Sequence, residues 1–363
     1  MHRLRPVLFG SVLAIACAAQ AYQSPDLSGI PLFPADNPWH FDISKFPVHP
    51  NSANLVNSVG TSTGLHPDFG TVYDGAPMGI PYIVVGSGQP KLPVAFDYSD
   101  ESDPGPYPAP LDAPIEGGSA STGDRHVIVV DSSSALLYEM WDSHPLANSW
   151  QAGSGAKFDL ASNTLRPETW TSADAAGLPI LPGLVRYDEI RRGVIDHAIR
   201  MTVSTSRKSY LWPARHQAGS TTSLNAPAMG ERFRLKASFD TTGYPATAKV
   251  VIAAMKKYGL IVADNGSNWY ISGAPDERFS DDELNALKGI KGRDFEAVLT
   301  VDSLGNPLLP GKTGIVPRGS RALRNLLGGP THDVLGRGSS ITTGLDKGGK
   351  LYLPVGRTTG SAK

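Results

Sequence analysis

The sequence predicts a mainly β protein, built as a β-sandwich or jelly-roll-like domain with a small helical insert. Two observations lead to this fold class. Short segments rich in Val, Ile, Tyr and Phe recur between turn residues, and Pro, Gly, Ser and Asn crowd the first hundred residues after position 21. Only two segments have a helical period, so helices are expected to be an insert in a β framework.

The chain opens with the three parts of a signal peptide, residues 1–21. A basic start precedes an apolar run over residues 6–19, and Ala19-Gln20-Ala21 is a small-x-small cleavage site. The apolar run is shorter than the roughly 20 residues that a membrane-spanning helix needs. We therefore expect a secreted protein, extracellular or periplasmic, that starts at Tyr22 and has no membrane partner.

Cleavage of this segment removes Cys17, the only cysteine of the chain. The mature protein then has neither disulfides nor thiolate-bound metals, so its stability must come from its core. The full chain has a net charge of −1, and loss of Arg3 and Arg5 changes it to −3. A field this weak does not predict a nucleic-acid partner.

The strand signals are short apolar segments, each bounded by turn residues. They cover residues 81–86, 92–98, 126–131, 135–141, 194–203, 209–213 and 232–239. Two more segments, 260–263 and 269–272, flank Asp264-Asn265-Gly266, which is typical of the turn in a hairpin.

Two helices form the predicted insert. Residues 245–258 carry Val251, Met255 and Tyr258 at helical spacing, with lysines on the opposite face and Gly259 as a stop. A capping-box pattern at residues 280–283 opens a second, shorter helix.

The domain organisation follows from a change of composition near Val301. Residues 22–300 are expected to form one extracellular β-rich domain, and we expect a monomer. The last 63 residues contain nine Lys or Arg against three Asp and are rich in Gly, Ser and Thr. Because they lack the apolar periodicity needed to join a core, residues 301–363 are predicted to be a poorly ordered tail.

The candidate site residues come from three polar segments. Strand alternation in residues 194–203 places Asp196 and Arg200 on one face, while His197 lies on the apolar face and is expected to be a core histidine. Aromatic rings beside carboxylates, arginine and histidine are what a sugar-binding cleft needs. We therefore predict that the catalytic candidates Asp188, Asp196 and His216 converge on one cleft with the substrate-binding candidates Arg200 and Arg215. Trp212 and, from a further segment, Lys236 are additional candidates for substrate binding.

Other charged residues leave alternatives open. Glu189 and Asp124 are further candidates for an acid/base pair. Arg232, Arg234 and Lys236 alternate with apolar residues, so they form a basic row that either binds an acidic glycan or is an exposed sheet face.

No cofactor is predicted. The G-x-S-x-G match at residues 60–64 lacks the strand and helix that a nucleophile elbow requires, and the sequence has no H-E-x-x-H motif. Asp97, Asp100, Glu101 and Asp103 offer oxygen ligands for a structural calcium ion, but the EF-hand spacing is absent, which favours a solvated loop.

Four longer motifs carry a resemblance to known proteins: WTSADAAGLP at 170–179, IDHAIR at 195–200, WPARH at 212–216 and ADNGSNWYISGAPD at 263–276. In these motifs the chain resembles a family of secreted bacterial proteins, over roughly residues 38–298. The resemblance implies a single extracellular domain and supplies no reaction.

Three functions are compatible with these observations. The first is a secreted carbohydrate-active enzyme, a glycoside hydrolase that uses paired carboxylates on a polysaccharide. The second is a polysaccharide lyase that uses Arg, Lys, His or Tyr. The third is a non-catalytic glycan-binding or cell-wall-binding protein. An enzyme should place at least two ionisable groups with perturbed environments in its groove, whereas a binding module should offer mainly aromatic rings and amides.

Overall fold

Sheets of six, four, three and two strands make up most of the regular structure in residues 22–302 and 305–310, the part of the chain that the computed structural model describes. The prediction of a mainly β fold is confirmed, because strands outweigh helices in these residues. The predicted signal peptide and nearly all of the predicted tail lie outside the described residues.

The strands, in chain order, are β1 (His66–Asp68), β2 (Val72–Tyr73), β3 (Ala76–Pro77), β4 (Tyr82–Val85), β5 (Val94–Phe96), β6 (Val127–Asp131), β7 (Leu136–Trp141), β8 (His144–Pro145), β9 (Trp150–Ala152), β10 (Ser154–Asp159), β11 (Ile199–Val203), β12 (Arg232–Leu235), β13 (Leu260–Asn265), β14 (Tyr270–Ser272) and β15 (Phe295–Val298). The α-helices are α1 (Ser52–Val59), α2 (Tyr187–Arg192), α3 (Ala246–Lys257) and α4 (Asp281–Asn285). Short 3-10 helices cover Pro38–His40, Ser99–Glu101, Leu181–Gly183, Ala286–Gly289 and Gly292–Asp294.

The largest sheet has six strands in the order β1-β14-β11-β13-β12-β15. The predicted hairpin between β13 and β14 is wrong, because β11 lies between them, parallel to β13 and antiparallel to β14. The connection crosses the end of β11, where the Gly266 amide donates to the Val203 carbonyl at 3.0 Å. A Cβ on Gly266 would lie 3.0 Å from the Thr202 side chain, so a glycine fits this close crossing.

The four-stranded sheet, β10-β7-β6-β4, separates two apolar clusters. All five residues of β6 are buried, and their side chains alternate between the two faces. Ile128 and Val130 join the main core, which the six-stranded sheet also lines. Val127 and Val129 pack on the other side with Tyr138 and Trp150. A smaller sheet, β5-β9-β8, supplies Phe96 and Trp150 to that second cluster.

The helices are partly as predicted. Helix α3 occupies the predicted segment, and the Ser280 hydroxyl caps α4 by accepting the Glu283 amide at 3.3 Å. Helices α1 and α2 were not predicted. Helix α2 ends at Gly193, whose φ of 75° is left-handed, and the strand predicted at 194–203 therefore begins only at Ile199. The strand predicted at 209–213 is reduced to one bridge, from Tyr210 to Met229.

Both ends of the described chain are attached to the core. The Ser24 amide donates to the buried Asp276 carboxylate at 3.0 Å, and Tyr22 is hydrogen-bonded to Tyr82. Beyond residue 300, Leu308 and Leu309 pack against a cluster around Trp212. None of the helices in the described ranges combines the length and hydropathy needed to span a bilayer.

Candidate functional site

The five residues predicted to converge do not share one cleft. Asp188 and Asp196 lie in a cleft of about 590 Å³, and His216 lies in another of about 420 Å³. We call the first the Arg186 cleft; Arg186, Asp188, Arg192, Asp196, His197 and the segment 27–35 are among its lining residues. We call the second the acidic cleft. Its walls are Tyr98, Glu101, Asp124, Trp141, Ser154, residues 171–175, His216, Ala218, Asp264 and Asn265.

Arg200 is buried and occupied by protein partners, so its predicted role in substrate binding is wrong. Its guanidinium donates two hydrogen bonds of 2.8 Å to Asp174, one of 3.1 Å to Asp264 and one of 2.7 Å to the Ser272 hydroxyl. Arg200 therefore lies behind the acidic cleft and fixes two of its carboxylates.

The remaining predicted binding residues are outside both clefts. Arg215 donates to the Arg166 carbonyl at 2.9 Å and pairs with Glu168 at 3.2 Å. Trp212 is buried against Phe41, with ring centroids 5.8 Å apart, and the Lys236 ammonium donates to the Arg293 carbonyl at 2.7 Å. These contacts engage the three side chains with protein partners outside the two clefts.

The predicted basic row is also wrong. Arg232 and Arg234 are only 2% and 8% exposed. Arg234 pairs with Glu296 and donates to the Ile43 and Phe46 carbonyls, while Arg232 donates to the Tyr258 and Pro38 carbonyls. Backbone carbonyls can accept from a buried guanidinium, although Nη2 of Arg232 has no partner among the described residues, and strand alternation alone does not reveal such carbonyls.

The charge of Glu189, buried behind the Arg186 cleft, is compensated within the protein. The fully buried Glu189 accepts hydrogen bonds from Arg186 at 2.5 Å and from His197 at 2.9 Å. Burial acts to raise the pKa of Glu189, but the Arg186 and His197 charges outweigh it, so the net change is downward. His197 is the core histidine that the sequence predicts, because its second ring nitrogen contacts the Ala198 carbonyl at 2.8 Å.

The two predicted carboxylates of this cleft differ in exposure. Asp188 is 5% exposed and accepts the Leu27 amide at 3.3 Å, and burial raises the pKa of its carboxyl. Asp196 is exposed, on the irregular segment between α2 and β11. They line the same cleft as predicted, but Arg200, Arg215 and His216 are not among its lining residues.

The acidic cleft lies where strands of different sheets end. Trp141 is the last residue of β7, Asp264 lies near the end of β13, and Asp124 precedes β6. The backbone links two of these positions, since the Asp142 amide donates to the Asp124 carbonyl at 2.8 Å. Side chains far apart in sequence meet here because the ends of strands converge.

Asp264 is the titratable group whose environment is most unusual in this cleft. Its side chain is 22% exposed and accepts from Arg200 at 3.1 Å. Burial, and then the negative charge of Asp174, raise the pKa of Asp264 to about 7 despite the nearby Arg200. Near neutral pH this carboxyl is therefore partly protonated and able to donate a proton.

Two other carboxylates of the cleft accept only neutral donors. Glu101 accepts the Thr171 amide at 2.9 Å, and Asp124 accepts the Trp141 indole N–H at 3.2 Å. Neither forms an ion pair with a cation within 4.0 Å in the described part of the chain. Each carboxylate is therefore available for an interaction with a cationic or hydrogen-bond-donating group of a ligand.

Tyr98 and Trp141 form an aromatic pair on the same wall. Their ring centroids are 6.3 Å apart, and Tyr98 is 54% exposed. The Trp141 indole packs on Gly153, where a Cβ would lie 2.3 Å from ring atom Cε3. Because Gly153 has no side chain, the Trp141 indole can pack at this position in the wall of the cleft.

His216 is held in one tautomer. Its Nδ1 lies 2.7 Å from the Ala175 carbonyl, which can only accept, so Nδ1 carries the proton. The neutral ring then has a lone pair on Nε2, and this atom has no hydrogen-bond partner among the described residues. His216 can accept a hydrogen bond from a ligand in the cleft.

Glu116, Asp124 and His126 are the described residues that bring three potential metal-binding atoms together, all within 4.8 Å. His126 Nδ1 lies 2.6 Å from Glu116 Oε2, and its Nε2 lies 3.1 Å from the Ala173 carbonyl. Two ligands of one zinc ion would be about 3.3 Å apart, given bonds of roughly 2.0–2.1 Å. The short contact is instead a hydrogen-bonded ion pair: burial lowers the pKa of His126, but Glu116 reverses this effect and raises it to about 9.

The loop considered for calcium does not form such a cluster. Asp103 pairs with Arg166 at 2.5 Å, Glu101 accepts the Thr171 amide, and the Asp97 carboxylate lies 3.5 Å from the Gln151 amide. Three of the four carboxylates of this loop thus have separate protein partners, and Asp100 is exposed.

Sequence reasoning did not single out Asp264 or its partner Asp174 as candidate site residues. Asp264 was assigned to a turn. The signal was a polar residue directly after the apolar segment 260–263, because residues at the carboxyl ends of buried parallel strands commonly form ligand sites.

Comparisons of the chain with protein-family models, with curated proteins and with solved structures give no match. The resemblance to a family of secreted bacterial proteins stays a prediction, and the site is interpreted from its own geometry.

Proposed function

We propose that the protein is a secreted glycoside hydrolase that cuts an extracellular polysaccharide in the acidic cleft. The observation that carries this proposal is Asp264, a carboxyl with a pKa of about 7 that lines a cleft beside further carboxylates and two aromatic rings. Hydrolysis of a glycosidic bond needs one protonated and one ionised carboxyl. Environments that separate two carboxyl groups in this way are typical of such enzymes.

Asp264 is the general acid in this proposal. Its proton goes to the glycosidic oxygen as the bond to the departing sugar breaks. Arg200 and Asp174 hold the carboxyl from behind, where Arg200 contacts both at 2.8–3.1 Å. Burial, and then the negative charge of Asp174, keep the proton on Asp264 near neutral pH.

Asp124 is the second carboxylate. It is exposed, and the Trp141 indole N–H orients one of its oxygens. It either activates water or attacks the anomeric carbon, according to its separation from the acid in the bound complex. A sugar ring stacks on Trp141 and Tyr98, and His216 Nε2 accepts a hydrogen bond from a hydroxyl.

The two alternative functions have less support. A lyase acting on uronates needs a cation to neutralise the sugar carboxylate, but no Lys or Arg lines the acidic cleft, and Arg215 and Lys236 are engaged elsewhere. A pure binding module would not need a carboxyl with a pKa near 7 in its groove. We also propose that the two larger sheets form the predicted β-sandwich. The six- and four-stranded sheets share one core, and the cleft lies at their strand ends.

A polysaccharide panel tests this function. We expect the secreted protein to release reducing ends from at least one polysaccharide, without the absorbance of unsaturated uronates. Asp124→Ala should lower that rate by at least about 100-fold, the low end of what a catalytic carboxylate contributes.

Asp282→Ala is the matched control, because Asp282 is an exposed aspartate on α4, outside the cleft. It should keep the full rate. The proposal fails if no polysaccharide yields reducing ends, or if Asp124→Ala is as active as Asp282→Ala.

A further inference from the structure

The acidic cleft has more negative charge than its protein partners compensate. Glu101, Asp124, Asp174 and Asp264 line it, and no Lys or Arg does. Arg200 compensates Asp174 and Asp264 from behind. The charge on His126 does not change this balance, because Glu116 pairs with it at 2.6 Å.

The excess charge is located on Glu101 and Asp124. Each accepts one hydrogen bond from a neutral N–H, through one of its two oxygens. An ionised carboxylate has about four lone-pair sites, so both groups can accept further donors. Arg166 donates to the Glu101 backbone carbonyl, but its own charge is paired with Asp103.

The aromatic pair is next to these two carboxylates. The Trp141 indole N–H donates a hydrogen bond to Asp124, and Tyr98 precedes the 3-10 helix that ends at Glu101. The faces of indole and phenol rings attract cations, and carboxylates do so more strongly. Both kinds of group favour an ammonium ion, whereas the carboxylates would repel a uronate or a sulfate ester.

We propose that the polysaccharide bound in the acidic cleft is one whose sugars carry free amino groups, with an ammonium placed between Glu101, Asp124 and the rings of Tyr98 and Trp141. This inference rests on the proposed function, and it names the substrate class of the same site. It also replaces the expectation of an acidic glycan, since Arg232 and Arg234 are buried.

Two oligosaccharides that differ only in charge test the inference. We would measure the equilibrium binding of a glucosamine hexasaccharide and of its fully N-acetylated counterpart to the full secreted protein carrying Asp264→Asn, which slows turnover. At about pH 6 the amines are charged, and we expect the glucosamine form to bind about tenfold more tightly. The difference should shrink at high salt, because exposed charges are screened.

Glu101→Gln, added to Asp264→Asn, tests where the selectivity arises. It keeps the shape and the acceptor for the Thr171 amide while removing the charge, so we expect most of the tenfold preference to be lost. Asp282→Asn, added in the same way, changes the net charge of the protein equally and should leave the preference unchanged.

The outcomes separate this inference from the proposed function. Equal or tighter binding of the N-acetylated form, or a preference that survives Glu101→Gln, would overturn the inference while leaving hydrolysis of a neutral polysaccharide open to observation. Selective binding of the amine form, with no reducing ends from any polysaccharide, would support the amine site and overturn the hydrolase.

Discussion

The Arg186 cleft and the acidic cleft contain similar residues and use them differently. Behind the larger Arg186 cleft, the fully buried Glu189 has the lining residues Arg186 and His197 as direct partners, so its charge is compensated inside the protein. In the smaller acidic cleft, Glu101 and Asp124 keep charges without a cationic partner, and Asp264 keeps a proton. Cleft volume and the number of ionisable residues therefore identify a site less well than the balance of charge around each residue does.

The first prediction sets equivalent substitutions in the two clefts against each other. Asp264→Asn should lower hydrolysis by about 10²–10⁴-fold, because the general acid is lost while shape and the Arg200 contact remain. The hydrolysis rate of the Asp188→Asn variant should stay within about twofold of the rate of the unchanged protein. Initial rates of reducing-end release at saturating and low substrate measure both, with thermal melting to verify folding. Equal losses in the two variants would remove the distinction between the clefts.

The second prediction compares the two clefts by stability, and here the larger effect is expected near the Arg186 cleft. Glu189→Gln should destabilise the fold by about 3 kcal/mol, because the buried Arg186 loses the charge that compensates it and His197 loses its carboxylate partner. Glu101→Gln should change the free energy of unfolding by less than about 0.5 kcal/mol, as is usual for surface changes. Urea unfolding at neutral pH gives both values. A larger effect at Glu101 would mean that the acidic cleft is structural.

The third prediction concerns pH. The folded pKa of Asp264 is about 7, above the value of roughly 4 for an unfolded aspartate, so its contribution to stability is full below about pH 4 and is lost as the pH rises through 7. Glu189 has a lowered pKa, so its contribution is present above about pH 4.5 and is lost at lower pH.

Unfolding free energies measured between about pH 3 and pH 8 test these opposite pH dependences of Asp264 and Glu189. Asp264→Asn should reduce the loss of unfolding free energy that occurs as the pH rises from 4 to 7. Glu189→Gln should reduce the loss that occurs as the pH falls below 4.5. Glu139 and Glu231 also have pKa values raised by burial to about 7, but they are unchanged in both variants. Parallel curves for the two variants would contradict the assigned environments.

The smallest expected effect is at the ion pair near the Arg186 cleft. Asp26 pairs with Arg191, and both side chains are about half exposed. Asp26→Asn should change stability by at most about 0.5 kcal/mol and leave the rate of hydrolysis unchanged, because water screens an exposed pair. Urea unfolding of this variant beside Glu189→Gln shows whether burial separates the two ion pairs.

Local sequence patterns predicted the elements that depend on neighbouring residues. Strands β6 and β7 and helix α3 occupy the predicted segments, because apolar spacing within six to fourteen residues decides them. The predicted strand at 194–203 was too long, since the left-handed Gly193 and the partners of His197 belong to the surrounding fold.

The site was beyond such patterns for a different reason. Tyr98, Asp124, Asp174 and Asp264 meet through sheet pairing, and sequence alone does not reveal that β11 lies between β13 and β14. Arg200 was singled out correctly as an important charge, but its partner Asp174 is 26 residues away and is buried with it. Carbonyl and carboxylate partners of buried arginines become visible only in three dimensions.

The closing of the sheet has a consequence for the time course of folding. Strand β1 pairs in parallel with β14, with His66 opposite Tyr270, and Ser24 is bonded to Asp276. Closing loops of some 200 residues is entropically costly and slow, so the six-stranded sheet forms late and as a whole. A newly made chain therefore cannot complete this sheet until β15, which ends at Val298, is present, and until then its strand edges remain open to chaperones and to other chains.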